Sequence, residues 1–247
     1  MSFKNIKLVV EYDGTNFSGF QIQEGERTVQ QELTKAIIEV TGEDIRLISA
    51  GRTDSGVHAY GQIVNFLTTT KINPNKFHYH LLKYLPEDIK VVDSNQEDMY
   101  FHSRFCAKNK TYHYLINTSE NMHPIYRNYM ENITYKLNYE KLKEGFEILK
   151  GEHDFKAFML RDKDDTINTI RKIEDCYFFK KKDILVFVFR AESFLHNQVR
   201  IMSGVLVEYA RGKLTKDKLL AYFDKENEKM ACPTLKAAGL YLKNIEY

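Results

Sequence analysis

Residues 51–58, GRTDSGVH, bring an arginine, an aspartate, two glycines and a histidine into eight positions. Asp-Ser-Gly is turn chemistry in its own right, because aspartate accepts hydrogen bonds from following amides and glycine takes positive φ cheaply. The flanks add reactivity. Arg52 carries a fork of donors that suits a carboxylate or a phosphate, and such a cation keeps a partly buried Asp54 ionised. An ionised, oriented carboxylate can act as a nucleophile. Gly51 and Gly56 leave room for a substrate's backbone or ring to approach. His58 is the neighbouring candidate for proton transfer or substrate contact, although a histidine beside a strand is also a common structural residue.

Two more stretches carry candidate chemistry. In TYHYLI, Tyr112, Tyr114 and Ile116 share one strand face. Both tyrosines suit a core, and a tyrosine at a pocket rim can instead stack on a base while its hydroxyl stays wet. In HNQVRIMSGVLVEYARG, Val199, Met202, Val205, Leu206 and Tyr209 form an apolar helical stripe, with His196 and Arg200 one turn apart. Arg200 falls near the helix start, where the dipole disfavours a cation. It is either a solvated side chain or one matched by a carboxylate.

The elements that must position these residues are legible from periodicity. IKLVVEYDG reads as a strand closing at Asp13-Gly14. Thr28 and Gln31 have capping-box spacing, and Val29, Leu33, Ala36, Ile37 and Val40 fall on one helical face that stops at Gly42. Strands are expected at DIRLISA, YGQIVNFLT and DIKVVDS, with a helix around Lys76 to Leu85. The second half repeats the mixture: strand TYHYLINT, a helix from Tyr139 to Leu149, strands RKIEDCYFF and ILVFVFRA, the helix near His196, and a closing strand GLYLKNIEY. ILVFVFRA is apolar on both faces and reads as a central strand, joined to its predecessor by a turn at Lys180–Asp183. The two halves, 1–105 and 106–247, have similar element order and suggest duplicated α+β units.

Composition bounds the rest. With 247 residues, 43% of them hydrophobic and 28% charged, the chain is an ordinary globular one, which excludes disordered and collagen-like classes. The formal charge of +2 does not mark a nucleic-acid binder, so any basic footprint is a local patch. Arg104, Lys108 and Lys110, with Arg211 and Lys213, are candidates for phosphate contact. Three scattered cysteines suit neither a disulfide framework nor a metal knuckle and fit a reducing compartment. No leader-like or membrane-spanning apolar run is visible, so the chain reads as soluble and cytoplasmic.

GRTDSGVHAYGQIVNF closely resembles the signature of the tRNA pseudouridine synthase A family. EYDGTNFSGFQ, FHSRFCAKNKTYHY, FLHNQVRIMSGVL and AAGLYL are similar to that family's other blocks, in the same order along most of the chain. Phe20 and Cys106 depart from the family's usual tryptophan and serine at positions that are not catalytic.

The resemblance implies an α+β fold of two ferredoxin-like halves, whose mainly antiparallel sheets join around a central cleft with helices outside. It implies an isomerase that converts uridine to pseudouridine in the anticodon arm of tRNA, at positions 38 to 40, as a homodimer. Asp54 would be the nucleophile, and Arg52 would hold RNA and the flipped nucleotide. Tyr112 would stack on the base and serve in catalysis, Arg200 would pair with the catalytic carboxylate, and Leu240 would pack beneath it. No cofactor and no metal are implied.

Two other classes remain open at this level. One is a non-catalytic RNA-binding protein, for which Asp54 would be dispensable. The other is a small-molecule hydrolase using Glu152 or Asp154 as its acid or base, although no second motif of such an enzyme accompanies them. A family member with another RNA target site is a further variant of the first reading.

Overall fold

A computed structural model describes residues 2–160, 167–224 and 232–247. In chain order the elements are β1 (Lys4–Tyr12), α1 (Val29–Thr41), β2 (Ile48–Ser49), β3 (His58–Thr68), α2 (Phe77–Leu81), β4 (Ile89–Glu97), β5 (Asn109–Asn117), β6 (Glu131–Asn132), α3 (Tyr139–Leu149), β7 (Gly151–Asp154), β8 (Ile170–Lys181), β9 (Ile184–Ala191), α4 (Gln198–Ala210), α5 (Lys216–Ala221) and β10 (Leu240–Glu246). The fold is α+β, with mostly antiparallel strand pairing.

Two units divide the chain. Met1–Lys108 and Tyr241–Tyr247 form the first, and Asn109–Leu240 the second. Residues 241–247, grouped with 106–240 on sequence alone, belong to the first unit because Tyr241 and Leu242 pair in parallel with His58 and Ala59.

In the first unit β1 lies between β4 and β3, antiparallel to both, and β2 is a short antiparallel addition to β3. α1 forms where its signals predict. The Thr28 hydroxyl accepts from the Gln31 amide at 3.4 Å, and Gly42 closes the helix at φ 70. A threonine cap of this kind contributes about 1 kcal/mol. Val29, Leu33, Ala36 and Ile37 are buried on one face, and each of the larger side chains is stabilised by roughly 1.5–3 kcal/mol on leaving water.

Two expectations shrink here. DIRLISA pairs only at Ile48–Ser49, and the helix expected over Lys76–Leu85 is regular only from Phe77 to Leu81. Phe77 and Leu81 are buried whereas Leu82 and Tyr84 are exposed, so one turn has a core to face and the next has none.

In the second unit β9 is flanked by β5 and β8, both antiparallel, and β7 lies beyond β8. Leu185 to Phe189 are all buried, as the doubly apolar pattern predicts. The β8–β9 hairpin turns at Lys182, which takes φ 54. Phe146 of α3 anchors the core against Phe187 edge-on, at 5.2 Å between centroids, and against Phe178 and Phe189 at 5.7 and 5.6 Å. β6, β7 and α5 carry too few residues for periodicity to reveal them.

Candidate active site

The first unit presents Asp54 on a turn that is tied from several sides. The Val57 amide donates to the Asp54 carbonyl at 3.1 Å, closing the turn on itself. The Phe20 amide donates to the Thr53 carbonyl at 3.0 Å, and the Gly56 amide and Ser55 hydroxyl donate to the Phe17 carbonyl at 3.3 and 3.2 Å. Upstream, Gln62 Nε2 donates to the Gly51 carbonyl at 3.0 Å. Beneath it, the Tyr12 phenol shares a 2.8 Å hydrogen bond with Thr53 Oγ1. Burial pushes that phenol up to about 12, against the lowering effect of the Thr53 and Gln62 bonds, so Tyr12 remains a neutral hydrogen-bonding group.

Backbone shape completes the turn. Gly56 takes φ 78, a conformation that L side chains rarely adopt. Gly14 lies so close that an added Cβ would stand 2.0 Å from the Val57 carbonyl oxygen. The supporting loop has its own clamp. Arg27 pairs bidentately with Asp88 at 2.7 and 2.8 Å, and its guanidinium lies 4.1 Å from the centre of the Phe17 ring.

Within this frame Asp54 is half-buried and Arg52 is exposed. His58 is only 2% exposed. Its ring stacks on Tyr241 at 4.7 Å, and its Nδ1 accepts from the Gly14 amide at 3.1 Å. Asp13 Oδ1 approaches the same atom at 3.2 Å. Asp13 Oδ1 already receives the Thr15 amide and hydroxyl at 3.0 and 2.6 Å. His58 therefore braces the turn.

In the second unit Tyr112 and Tyr114 lie on one face of β5 and differ in role. Tyr114 is fully buried, and its hydroxyl donates to the Lys236 carbonyl at 2.7 Å. Burial, with the Glu131 carboxylate close by, pushes that phenol strongly upward, so it remains a donor. Tyr112 is 8% exposed and meets Phe194 edge-on at 5.3 Å between centroids.

Arg200 is held at the start of α4. Asn197, in the left-handed conformation at φ 61, precedes the helix and accepts from Arg200 Nη1 at 2.6 Å. Arg200 Nε donates to the Leu235 carbonyl at 2.9 Å, and the Leu235 amide returns a 3.3 Å bond to the Arg200 carbonyl. Gly204 permits this docking, since a Cβ there would stand 2.2 Å from the Pro233 carbonyl oxygen. Leu240 is buried at 5% exposure.

Other carboxylates have structural tasks. Asp154 Oδ1 accepts from the Lys156 amide at 3.0 Å and the Thr169 hydroxyl at 2.6 Å, so it caps a loop. Glu131 is 7% exposed and takes the Lys236 amide at 2.9 Å. Among the described residues no group of three or more His, Cys, Asp or Glu is placed to hold a metal ion.

Residues 8–106 and 146–247 match the family model described as tRNA pseudouridine synthase. The chain belongs to this family. Asp54, Arg200 and Leu240 fall in the matched segments, and Tyr112 lies between them. The chain is 42% identical over 244 residues to the tRNA pseudouridine synthase A of Thermoanaerobacter sp. (strain X514), covering 99% of this chain and 100% of that protein. The enzyme of the same name from Finegoldia magna is 39% identical, again over 99% and 100%. That from Geobacillus sp. (strain WCH70) is 37% identical over 99% of this chain and 98% of its own.

Sequence reasoning missed the residues that brace the Asp54 turn, above all Tyr12, Gly14, Phe17 and Gln62. Asp13-Gly14 reads as a strand-ending turn, and only the fold reveals that Gly14 abuts Val57. No helix among the described residues is long and apolar enough to cross a membrane.

Proposed function

We propose that Asp54 is the nucleophile with which this enzyme converts uridine to pseudouridine in tRNA. The isomerisation exchanges the bond from ribose C1′ to N1 for one from C1′ to C5. The hydrogen on C5 leaves, N1 gains one, and no electron is transferred overall. The observation that carries the reading is the turn itself. Asp54 projects from a backbone fixed by the Val57, Phe20 and Gly56 amides, so its carboxylate is directed before substrate arrives.

A base inside a helix is out of reach of such a group, and extruding it costs a few kcal/mol. In this reading Arg52 offsets that cost through the phosphate backbone, and Tyr112 stacks on the extruded base and takes part in catalysis. Arg200 supplies the positive charge that favours an ionised carboxylate, and Leu240 forms the apolar floor. Asn197 and the Leu235 carbonyl fix the Arg200 guanidinium and limit its choice of rotamer. His58 acts as a positioning residue. The substrate is the anticodon arm at positions 38 to 40, and the working form is a cytoplasmic homodimer.

The test is tritium release from tRNA labelled at uracil C5. Release that disappears when uridines 38 to 40 are replaced together, and only then, supports the target. Release that survives their replacement refutes it.

A further inference from the structure

The segment joining β4 to β5 holds an aromatic ring outward on an anchored turn. Ser103 is fully buried. Its amide donates to Asn65 Oδ1 at 2.9 Å and its hydroxyl to the Ile48 carbonyl at 3.0 Å, while its carbonyl receives the Tyr247 hydroxyl at 2.7 Å. Asn5 Nδ2 donates to the Asp98 and Phe101 carbonyls at 2.9 and 2.8 Å. The His102 imidazole accepts the Arg104 and Phe105 amides on Nδ1 at 3.2 and 3.3 Å, and the Cys106 amide donates to the His102 carbonyl at 2.9 Å.

On this turn Phe105 rests one face near the His102 ring, 4.3 Å between centroids and tilted by 32°, and is still 77% exposed. The Arg104 guanidinium lies 5.8 Å from the centre of the same ring. A turn with these anchors cannot swing Phe105 into the core, so the exposure is built into its backbone. Met99 and Tyr100 on the same segment are also exposed, at 48% and 92%, so Phe105 is one of several exposed apolar side chains there.

Charge selects the occupant. The joining segment begins with Asp98, whose carboxylate accepts the Tyr100 amide at 2.8 Å, and then carries Arg104 and Lys108, both exposed. An aromatic face beside a planar guanidinium matches a nucleobase and its phosphate, because every base offers a π-face and every linkage an anion. We infer that Phe105 is a stacking platform for an unpaired nucleobase of tRNA, with Arg104 on the adjoining phosphate. This rests on tRNA being the substrate and adds a contact distinct from the one at Asp54.

The sequence contains no tryptophan, so Phe105→Trp creates a single reporter. Titrating the full-length variant with unmodified tRNA transcript should quench that emission. Phe105→Ala should weaken tRNA binding by ~5- to 150-fold, the range of base–aromatic stacking losses. Emission unchanged at saturating tRNA, in a variant that binds and modifies it, overturns the platform and leaves the function intact. Emission that shifts with protein concentration in the absence of RNA overturns it in favour of a second copy covering the ring. A parent protein that neither binds nor modifies tRNA defeats both readings.

Discussion

Gly14→Ala perturbs the Asp54 turn without touching any group proposed to meet substrate. The new methyl would stand 2.0 Å from the Val57 carbonyl oxygen and 2.5 Å from its carbonyl carbon, both backbone atoms. Ordinary contact begins at 3.4 Å, so the turn and the Gly14 segment must separate by up to 1.4 Å. Relief strains the Gly14 amide bond to His58 Nδ1 and the Val57 bond to the Asp54 carbonyl, which share this contact. Overpacking of this kind costs roughly 1–3 kcal/mol of stability, and a misplacement of about 1 Å costs on the order of 100-fold in rate. Single-turnover tritium release should fall by about two orders of magnitude, while the thermal midpoint drops by only ~2–12 °C. Ile37→Val, buried in α1, provides the control, with ~0.5–1.5 kcal/mol lost and no rate change at 25 °C. A Gly14→Ala enzyme that keeps parental turnover would refute the claim that this contact sets the position of Asp54.

Other perturbations separate roles. Tyr112→Phe keeps the ring beside Phe194 and removes only the hydroxyl, whereas Tyr112→Leu removes both. If the tyrosine both stacks and moves a proton, the first should lower kcat at least ~10-fold with little change in KM, and the second should also raise KM. Parental kcat in Tyr112→Phe would count against the hydroxyl, and equal kinetics for the two variants would count against stacking by the ring. Glu43 tests the frame: burial acts to raise its pKa, but the Thr68 hydroxyl and the Thr69 hydroxyl and amide outweigh it, so the net shift is downward. Its contribution is full above the ordinary carboxylate pKa and disappears as pH falls through the lowered folded value. Glu43→Gln should therefore destabilise the protein at neutral pH and converge with the parent at strongly acidic pH in denaturant titrations. A gap that widens on acidification would contradict the assignment.

Local signals in the sequence located what they physically control. Thr28 and Gly42 bound α1 because capping is settled within one turn of helix. The doubly apolar ILVFVFRA declares a strand with neighbours on both sides, and β9 has β5 and β8. DIRLISA shows the limit, since β propensity describes a half-buried surface and only Ile48 and Ser49 find a partner strand.

Long-range placement was not legible. Nothing within GLYLKNIEY says that Tyr241 will pair with His58, and so no sequence window puts the closing strand with the first unit. The Asp54 turn was visible as Asp-Ser-Gly, but its rigidity comes from Tyr12, Gly14, Phe17 and Phe20, far back along the chain. Recognition of the whole motif singled out Asp54, while the fold explains what holds it.

The most direct measurement compares the parent with Asp54→Asn by tritium release and by tRNA binding in the same buffer. The turn's closing bond uses the Asp54 main-chain carbonyl, so asparagine leaves it in place. The account predicts release reduced to background with binding within a few-fold of the parent. Release by Asp54→Asn at a parental rate would contradict it.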